Sequence, residues 1–318
     1  MKNNLPLDES SRNRLDKKSI LFHSFQWVIT LFSVVLLIWL ISSQNWDQIL
    51  QTLIRIPIWT IVIVLLLNFV GQVLNTLRWS ILLNSQDIHV SIWQLIKIVL
   101  AGAFASNFLP STIGGDMIRL IKINQFSHNQ GLNFASIVLD RFVNVVAFLT
   151  ILPFSFSIWP QAVADKNTQI MMMATLNLSV IKKWFQKSWY QFITAYKNWA
   201  QKPWVVFQAF VVSWFSIFVI FMGLWLLNLG LDIQVKLVQV MGISALSYFI
   251  TMLPISINGY GLREVSITFF YTLIGVSPDQ AAIFAVLSRF LILFVTLPGA
   301  LFLGDFKDLK QIKVNRNL

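Results

Sequence analysis

The residues of this chain best suited to chemistry are arginines that interrupt apolar stretches. Arg119, Arg141, Arg263 and Arg289 stand in or beside such stretches, accompanied by Asp116, Asp140 and Glu264. A guanidinium presents a planar fork of N–H donors that grips a phosphate through two bonds at once. A charge at the centre of a bilayer costs about 2.5–3.5 kcal/mol on insertion scales, so each of these residues is a candidate for an internal polar site. Asn107 and Asn258 are candidate neutral donors, and Asp116, Asp140 and Glu264 are candidates to orient the arginines or to carry a coupling proton. Plainer readings stand beside these: Arg119 and Arg263 as markers of helix ends, and Asp140-Arg141 as a structural ion pair.

The spacing of these residues repeats. Leu109-Pro110-Ser-Thr-Ile-Gly114-Gly115-Asp116-Met-Ile-Arg119 is answered by Leu253-Pro254-Ile-Ser-Ile-Asn258-Gly259-Tyr-Gly261-Leu-Arg263-Glu264, each arginine nine residues after its proline. Val138-Leu139-Asp140-Arg141-Phe142 is matched by Val286-Leu287-Ser288-Arg289-Phe290, and Leu152-Pro153 by Leu297-Pro298. The correspondence predicts an internal duplication, and duplicated membrane units with broken helices build their sites between the copies. Proline ends a helix and glycine allows sharp turns. A helix restarting after such a turn points free N–H groups at an anion. The same glycines also suit close helix packing.

The elements that carry these residues are apolar spans. The chain has 318 residues, 56% hydrophobic and 12% charged, with a mean hydropathy of +0.69. Soluble domains carry about 25% charged residues. Runs of roughly 20 apolar residues span a bilayer core. The sequence predicts an all-α polytopic membrane protein of about eight spans: Phe25–Ser43, Pro57–Leu77, Ile92–Leu109, Ala135–Trp159, Trp204–Leu229, Leu237–Ile257, Val265–Gly275 and Ala281–Gly304. Arg78-Trp79 reads as an interfacial anchor at the end of the second span. Lys122–Asn133 reads as a polar connection, and Pro153 as a kink. Either Pro-to-Arg phrase is open to a re-entrant reading, since irregular backbone is tolerated at membrane depth when it is buried in protein or lines water.

The predicted domain plan is a basic leader 1–18, a single membrane domain 19–305 and a basic tail 306–318. Its repeat halves are about 57–160 and 203–304, joined by a basic amphipathic segment 179–200 with aromatic residues, suited to lie in the interface plane. The first span is too long for a signal peptide and reads as uncleaved. The net charge of +11 arises from basic residues flanking apolar spans, which suits the anionic cytoplasmic leaflet rather than nucleic acid and predicts cytoplasmic termini. There is no cysteine, His23, His89 and His128 are isolated, and no phosphate loop or zinc motif occurs, so neither a metal nor a cofactor is expected.

The two Pro-to-Arg phrases together resemble the paired signature segments of the lysylphosphatidylglycerol synthase transmembrane region, a family also called flippase-like or UPF0104. The resemblance covers about residues 20–305. In bifunctional members a soluble aminoacyltransferase domain makes the lipid and the membrane part moves it. Here about 14 residues follow the last span, too few for that domain, so the resemblance implies the flippase half and no synthase activity. It implies a lipid transporter of the bacterial plasma membrane, taking an anionic phospholipid or polyprenyl phosphate made by a separate enzyme. The alternatives are a membrane-embedded lipid-modifying enzyme and an accessory subunit of a glycosyltransferase or lipid synthase.

Overall fold

The computed structural model describes residues 56–107, 112–127, 129–158, 199–252, 259 and 261–303. The leader, the first span, the tail, Pro110, Pro254, Asn258 and all of the amphipathic segment except Trp199 and Ala200 lie outside the described residues. Within them the regular structure is helical: α1 (Ile58–Asn84), α2 (Ile92–Ser106), α3 (Thr112–Ile123), α4 (Gln130–Ile151), a 3-10 segment (Leu152–Ile158), α5 (Pro203–Gly230), α6 (Leu237–Met252), α7 (Leu262–Leu273), α8 (Pro278–Thr296) and α9 (Gly299–Leu303).

Among the described residues, four stretches are long and apolar enough to cross a membrane: α1, α4 with its 3-10 extension, α5 and α8. At 1.5 Å per residue, α2 with 15 residues and α6 with 16 reach only about 22–24 Å, short of a core of about 30 Å. Each short helix folds back on a 12-residue partner, α2 on α3 and α6 on α7. Two helical hairpins result, and one Pro-to-Arg phrase falls in each.

Helix starts follow local chemistry. Ser91 caps α2 by accepting from the Gln94 N–H, and Ser277 caps α8 from Gln280, with Pro278 in the first turn where a missing N–H costs nothing. Asn129 caps α4, which therefore begins five residues before the expected Ala135. The polar connection closes on itself: Asn133 Nδ2 donates to Asn124 Oδ1 at 2.7 Å and to the Ser127 carbonyl at 3.1 Å. At Pro153 the α-helix gives way to 3-10 structure, and Pro298 separates α8 from α9.

α1 and α5 form the most extensive helix pair. Gly71 lies against Ile220, Gly223 against Leu67 and Gly230 against Thr60, so the two run antiparallel with small residues admitting their neighbours. Two further contacts cross between the halves of the chain. The 3-10 segment after α4 packs on α6, and α9 after α8 packs on α2. Both contacts are made at a glycine. A Cβ at Gly242 would stand 2.7 Å from the Phe154 carbonyl oxygen, and one at Gly299 would stand 2.1 Å from that of Leu100. Gly242→Ala and Gly299→Ala are each expected to destabilise by about 1–3 kcal/mol through overpacking against backbone that has nowhere to move. Thermal unfolding in detergent reads this, and an unshifted Gly299→Ala midpoint would mean that α9 is not docked on α2.

Apolar packing holds the interior between α5, α6, α7 and α8. Tyr271 stacks on Phe284 with ring centroids 4.8 Å apart, and its hydroxyl accepts from Asn228 Nδ2 at 2.8 Å. Large apolar side chains on α1 and α5, among them Trp59, Leu66, Trp204 and Phe215, face outward, as a lipid solvent allows.

Candidate functional site

α1 carries Gln72, Asn75 and Arg78 at three-residue intervals on an otherwise apolar helix, which puts them on one stripe. The expectation for Arg78-Trp79 is overturned. α1 continues to Asn84, so both residues are drawn into the interior, Arg78 only 5% exposed and Trp79 fully buried. Trp199 is likewise fully buried rather than lying on an interface, its indole N–H donating to Ser85 Oγ at 2.8 Å.

Asp140 of α4, 2% exposed, divides its carboxylate between two arginines. Arg78 Nε stands 2.7 Å from Oδ1, and an Arg119 terminal nitrogen of α3 stands 3.0 Å from Oδ2. Arg78 also donates to Asn144 Oδ1 at 2.8 Å and to Ser213 Oγ of α5 at 2.9 Å. Asn144 in turn donates to the Tyr248 hydroxyl of α6 at 3.4 Å. One polar network thus ties α1, α3, α4, α5 and α6 together. The Arg119 guanidinium lies 4.2 Å from the centre of the Trp79 ring, a cation–π contact.

Asp116 holds two arginines as well: Arg119 at 3.5 Å through Oδ1, and Arg141 through Oδ2. Asp140 and Arg141 are sequence neighbours yet serve different partners, because consecutive residues leave a helix about 100° apart. The predicted Asp140-Arg141 tie is therefore replaced by two separate pairings. Three arginines (Arg78, Arg119, Arg141) against two aspartates (Asp116, Asp140) leave this group with a net charge of +1.

Beside these pairs lies a polar cavity of about 160 Å³, lined by Gln72, Asn75, Arg78, Ser106, Asp116 and Arg119 among others. Gly115 lets α3 approach α2 at its edge. A Cβ there would stand 2.0 Å from Ser106 Oγ and 2.5 Å from the Gly102 carbonyl oxygen. Gly114, its neighbour, is half-buried.

The second half forms its own group. Gly259 and Gly261 adopt positive φ of 74° and 75°, which glycine takes without strain, and Gly261 precedes the first turn of α7. Arg263 and Glu264 follow on that turn. Glu264, 1% exposed, faces Arg289 Nε of α8 at 3.3 Å. Asn107, expected as a ligand donor, instead ties the end of α2 to α8 by donating to Thr296 Oγ1 at 3.1 Å. Of the four arginines singled out from sequence, Arg119 lines the cavity, Arg141 stands beside it on Asp116, Arg289 pairs with Glu264, and Arg263 precedes Glu264 on the first turn of α7. The picture of four arginines around one pocket gives way to two groups, with Arg78 completing the first.

Arg289→Gln leaves the buried Glu264 without its close partner, an imbalance worth about 3–5 kcal/mol. A lowered melting midpoint in detergent is the expected result, and Glu264→Gln added to Arg289→Gln should recover part of it. A double variant no more stable than the single one would rule out the pairing as the cause.

A helical bundle with four membrane-length apolar helices and ion pairs enclosed within it is an integral membrane protein. The family model for the lysylphosphatidylglycerol synthase TM region matches residues 26–299, and the chain belongs to that family. It is similar to a UPF0104 membrane protein of Methanothermobacter thermautotrophicus, 21% identical over 273 residues that cover 73% of this chain and 80% of the relative. A second such protein of that organism is 22% identical over 278 residues, 71% of this chain and 78% of its own length. A UPF0104 membrane protein of Pyrococcus horikoshii is 23% identical over 134 residues, so that the match spans 41% of this chain and 40% of that relative. No solved structure matches the chain.

Proposed function

We propose that this protein moves an anionic phospholipid or a lipid-linked phosphate across the membrane. The observation that carries the reading is the polar cavity walled by Arg78 and Arg119 inside a bundle with an apolar exterior. Arg119 is suited to hold a phosphate. Its pair with Asp116 is long at 3.5 Å, and its Nε lacks a hydrogen-bond partner among the described residues. A headgroup phosphate displaces the weak Asp116 contact and takes the guanidinium nitrogen released by it, while the acyl chains stay in lipid. Asp116 and Asp140 hold the guanidinium when the cavity is empty of lipid.

The reciprocal docking of the two halves, with α9 on α2 and the 3-10 segment on α6, supports descent from a duplicated unit. The shortness of α2, α3, α6 and α7 supports re-entrant hairpins at the two Pro-to-Arg phrases. The basic leader and tail support cytoplasmic termini, and a plasma-membrane setting in which a separate enzyme supplies the lipid. A lipid-modifying enzyme is less well supported, because Asp116, Asp140 and Glu264, the acids on which such acid–base chemistry would draw, each face an arginine.

Purified protein in proteoliposomes containing an acyl-labelled anionic phospholipid tests the reading. Translocation well above that of protein-free vesicles is expected. Arg141, its side chain 44% exposed, can be neutralised without burying an unpaired charge. Arg141→Gln should keep the fold and slow transport several-fold, because Asp116 then binds Arg119 alone and competes better with the phosphate. Transport at the protein-free rate for every anionic lipid tried would defeat the reading.

A further inference from the structure

We infer that Lys97 marks a lipid site apart from the cavity, on the flank of the bundle where α9 meets α2, and that it holds the phosphate of an anionic lipid from the surrounding leaflet. Helix α2 presents two stripes. Val99, Gly102, Ala103 and Ser106 line the cavity. Trp93, Lys97, Leu100 and Phe104 recur at intervals of four, three and four, which stacks them on a different stripe. α9 lies on that second stripe: a Cβ on Gly299 would meet Leu100 and Phe104. One turn before Leu100 on the same stripe, Lys97 Nζ stands 5.6 Å from the centre of the Trp93 ring and 5.6 Å from that of Phe302 of α9.

Rings from two helices position the ammonium but bring it no counter-ion. Among the described residues Lys97 makes no ion pair, and neither α2 nor α9 contains an acid. Its depth suits a headgroup. Lys97 lies about 8 Å along α2 from Ile92 at 1.5 Å per residue, a depth from which a lysine stem reaches the membrane surface. Trp93, a turn nearer that surface and 59% exposed, fits the aromatic belt at headgroup level. This end of the bundle is also a basic one: α2 follows the end of α1, where Lys202 donates to the Ser85 carbonyl. A basic membrane face meets the leaflet richest in anionic lipid, and each lysine near the surface adds to the attraction. Leu301, next to Phe302 and largely exposed, offers the acyl chains an apolar surface. Since α9 brings the second half of the chain onto α2, a lipid held by Lys97 between Trp93 and Phe302 clamps the two halves together. The site stands whether or not the cavity carries a lipid.

The test titrates the full chain, in a neutral maltoside detergent, with phosphatidylglycerol while the melting midpoint is followed. A saturable rise is expected. Lys97→Gln strands no acid and should fold, and the phosphatidylglycerol concentration giving half the rise should increase about five- to tenfold. Lys97→Arg, which keeps the charge, should hold that concentration near its original value. Arg119→Gln, which removes the cavity's phosphate ligand, should leave it unchanged. No rise in the unaltered protein, or the same half-rise concentration in Lys97→Gln, overturns the site. A response lost in Arg119→Gln instead would put the stabilising lipid in the cavity and overturn it as well. An equal rise with phosphatidylcholine would mean acyl chains filling an apolar groove, and an equal rise with inorganic phosphate would mean an anion site without a lipid. Either result overturns the assignment to an anionic lipid, and none of these outcomes bears on transport.

Discussion

Asp140→Asn is expected to be the most damaging conservative change in this chain. Asparagine keeps the size of the side chain and removes only its charge. That charge is shared by Arg78 at 2.7 Å and Arg119 at 3.0 Å, in a setting where Asp140 is 2% exposed. Taking one partner from a buried ion pair costs about 3–5 kcal/mol, because the remaining charge stays desolvated. Here two guanidinium groups lose their common counter-ion, and Asp116 can reach only Arg119. A fall in the melting midpoint on the order of ten degrees is expected in detergent. Combining Arg78→Gln with Asp140→Asn should cost less than the sum of the two, since each change removes the same interaction. A midpoint equal to that of the unaltered protein would mean that the arginines find other anions and that Asp140 is not the keystone of the network.

Arg119 has the larger consequence for transport. Arg119→Gln still leaves Asp140 paired with Arg78 and Asp116 paired with Arg141, so the bundle keeps its charge balance locally and should fold. What is lost is the fork that faces the cavity. A charge-assisted hydrogen bond contributes about 1.5–3 kcal/mol, so transport of an anionic lipid should slow roughly ten- to a hundredfold. Arg119→Lys is expected to rescue little. Lysine keeps the charge but loses the two-pronged grip and the guanidinium contact with Trp79, whose ring centre lies 4.2 Å away. Initial rates in proteoliposomes, measured on preparations with matched melting midpoints, separate this effect from instability. Full activity in Arg119→Lys would reduce the role of Arg119 to that of a point charge.

Much of the architecture was legible in the residues. Long apolar runs have one stable form in lipid, because every backbone N–H and C=O must be paired within its own helix. α1, α4, α5 and α8 therefore lie close to their expected places, while their ends were set by caps and turns of a few residues: Asn129, Ser277 and Pro298. The pairing of charges was not legible. Arg289 has no acid near it in sequence and finds Glu264 across a helix–helix contact. Asp140 has Arg141 beside it and pairs elsewhere. Arg78 looked like the end of a span and proved to be its interior, although the three-residue stripe of Gln72, Asn75 and Arg78 on α1 was the available signal.

The sequence by itself determined that this chain lives in a membrane, that it is helical, and which family it joins. These follow from local composition and spacing, which act within a few helical turns. The tertiary structure alone decided which guanidinium meets which carboxylate, and that one cavity lies beside Arg78 and Arg119. Those outcomes depend on contacts between residues distant in sequence, such as Arg119 and Asp140, 21 positions apart, and Arg78 and Asp140, 62 apart. They also depend on close approaches such as Gly115 against Gly102, which no one-dimensional pattern encodes.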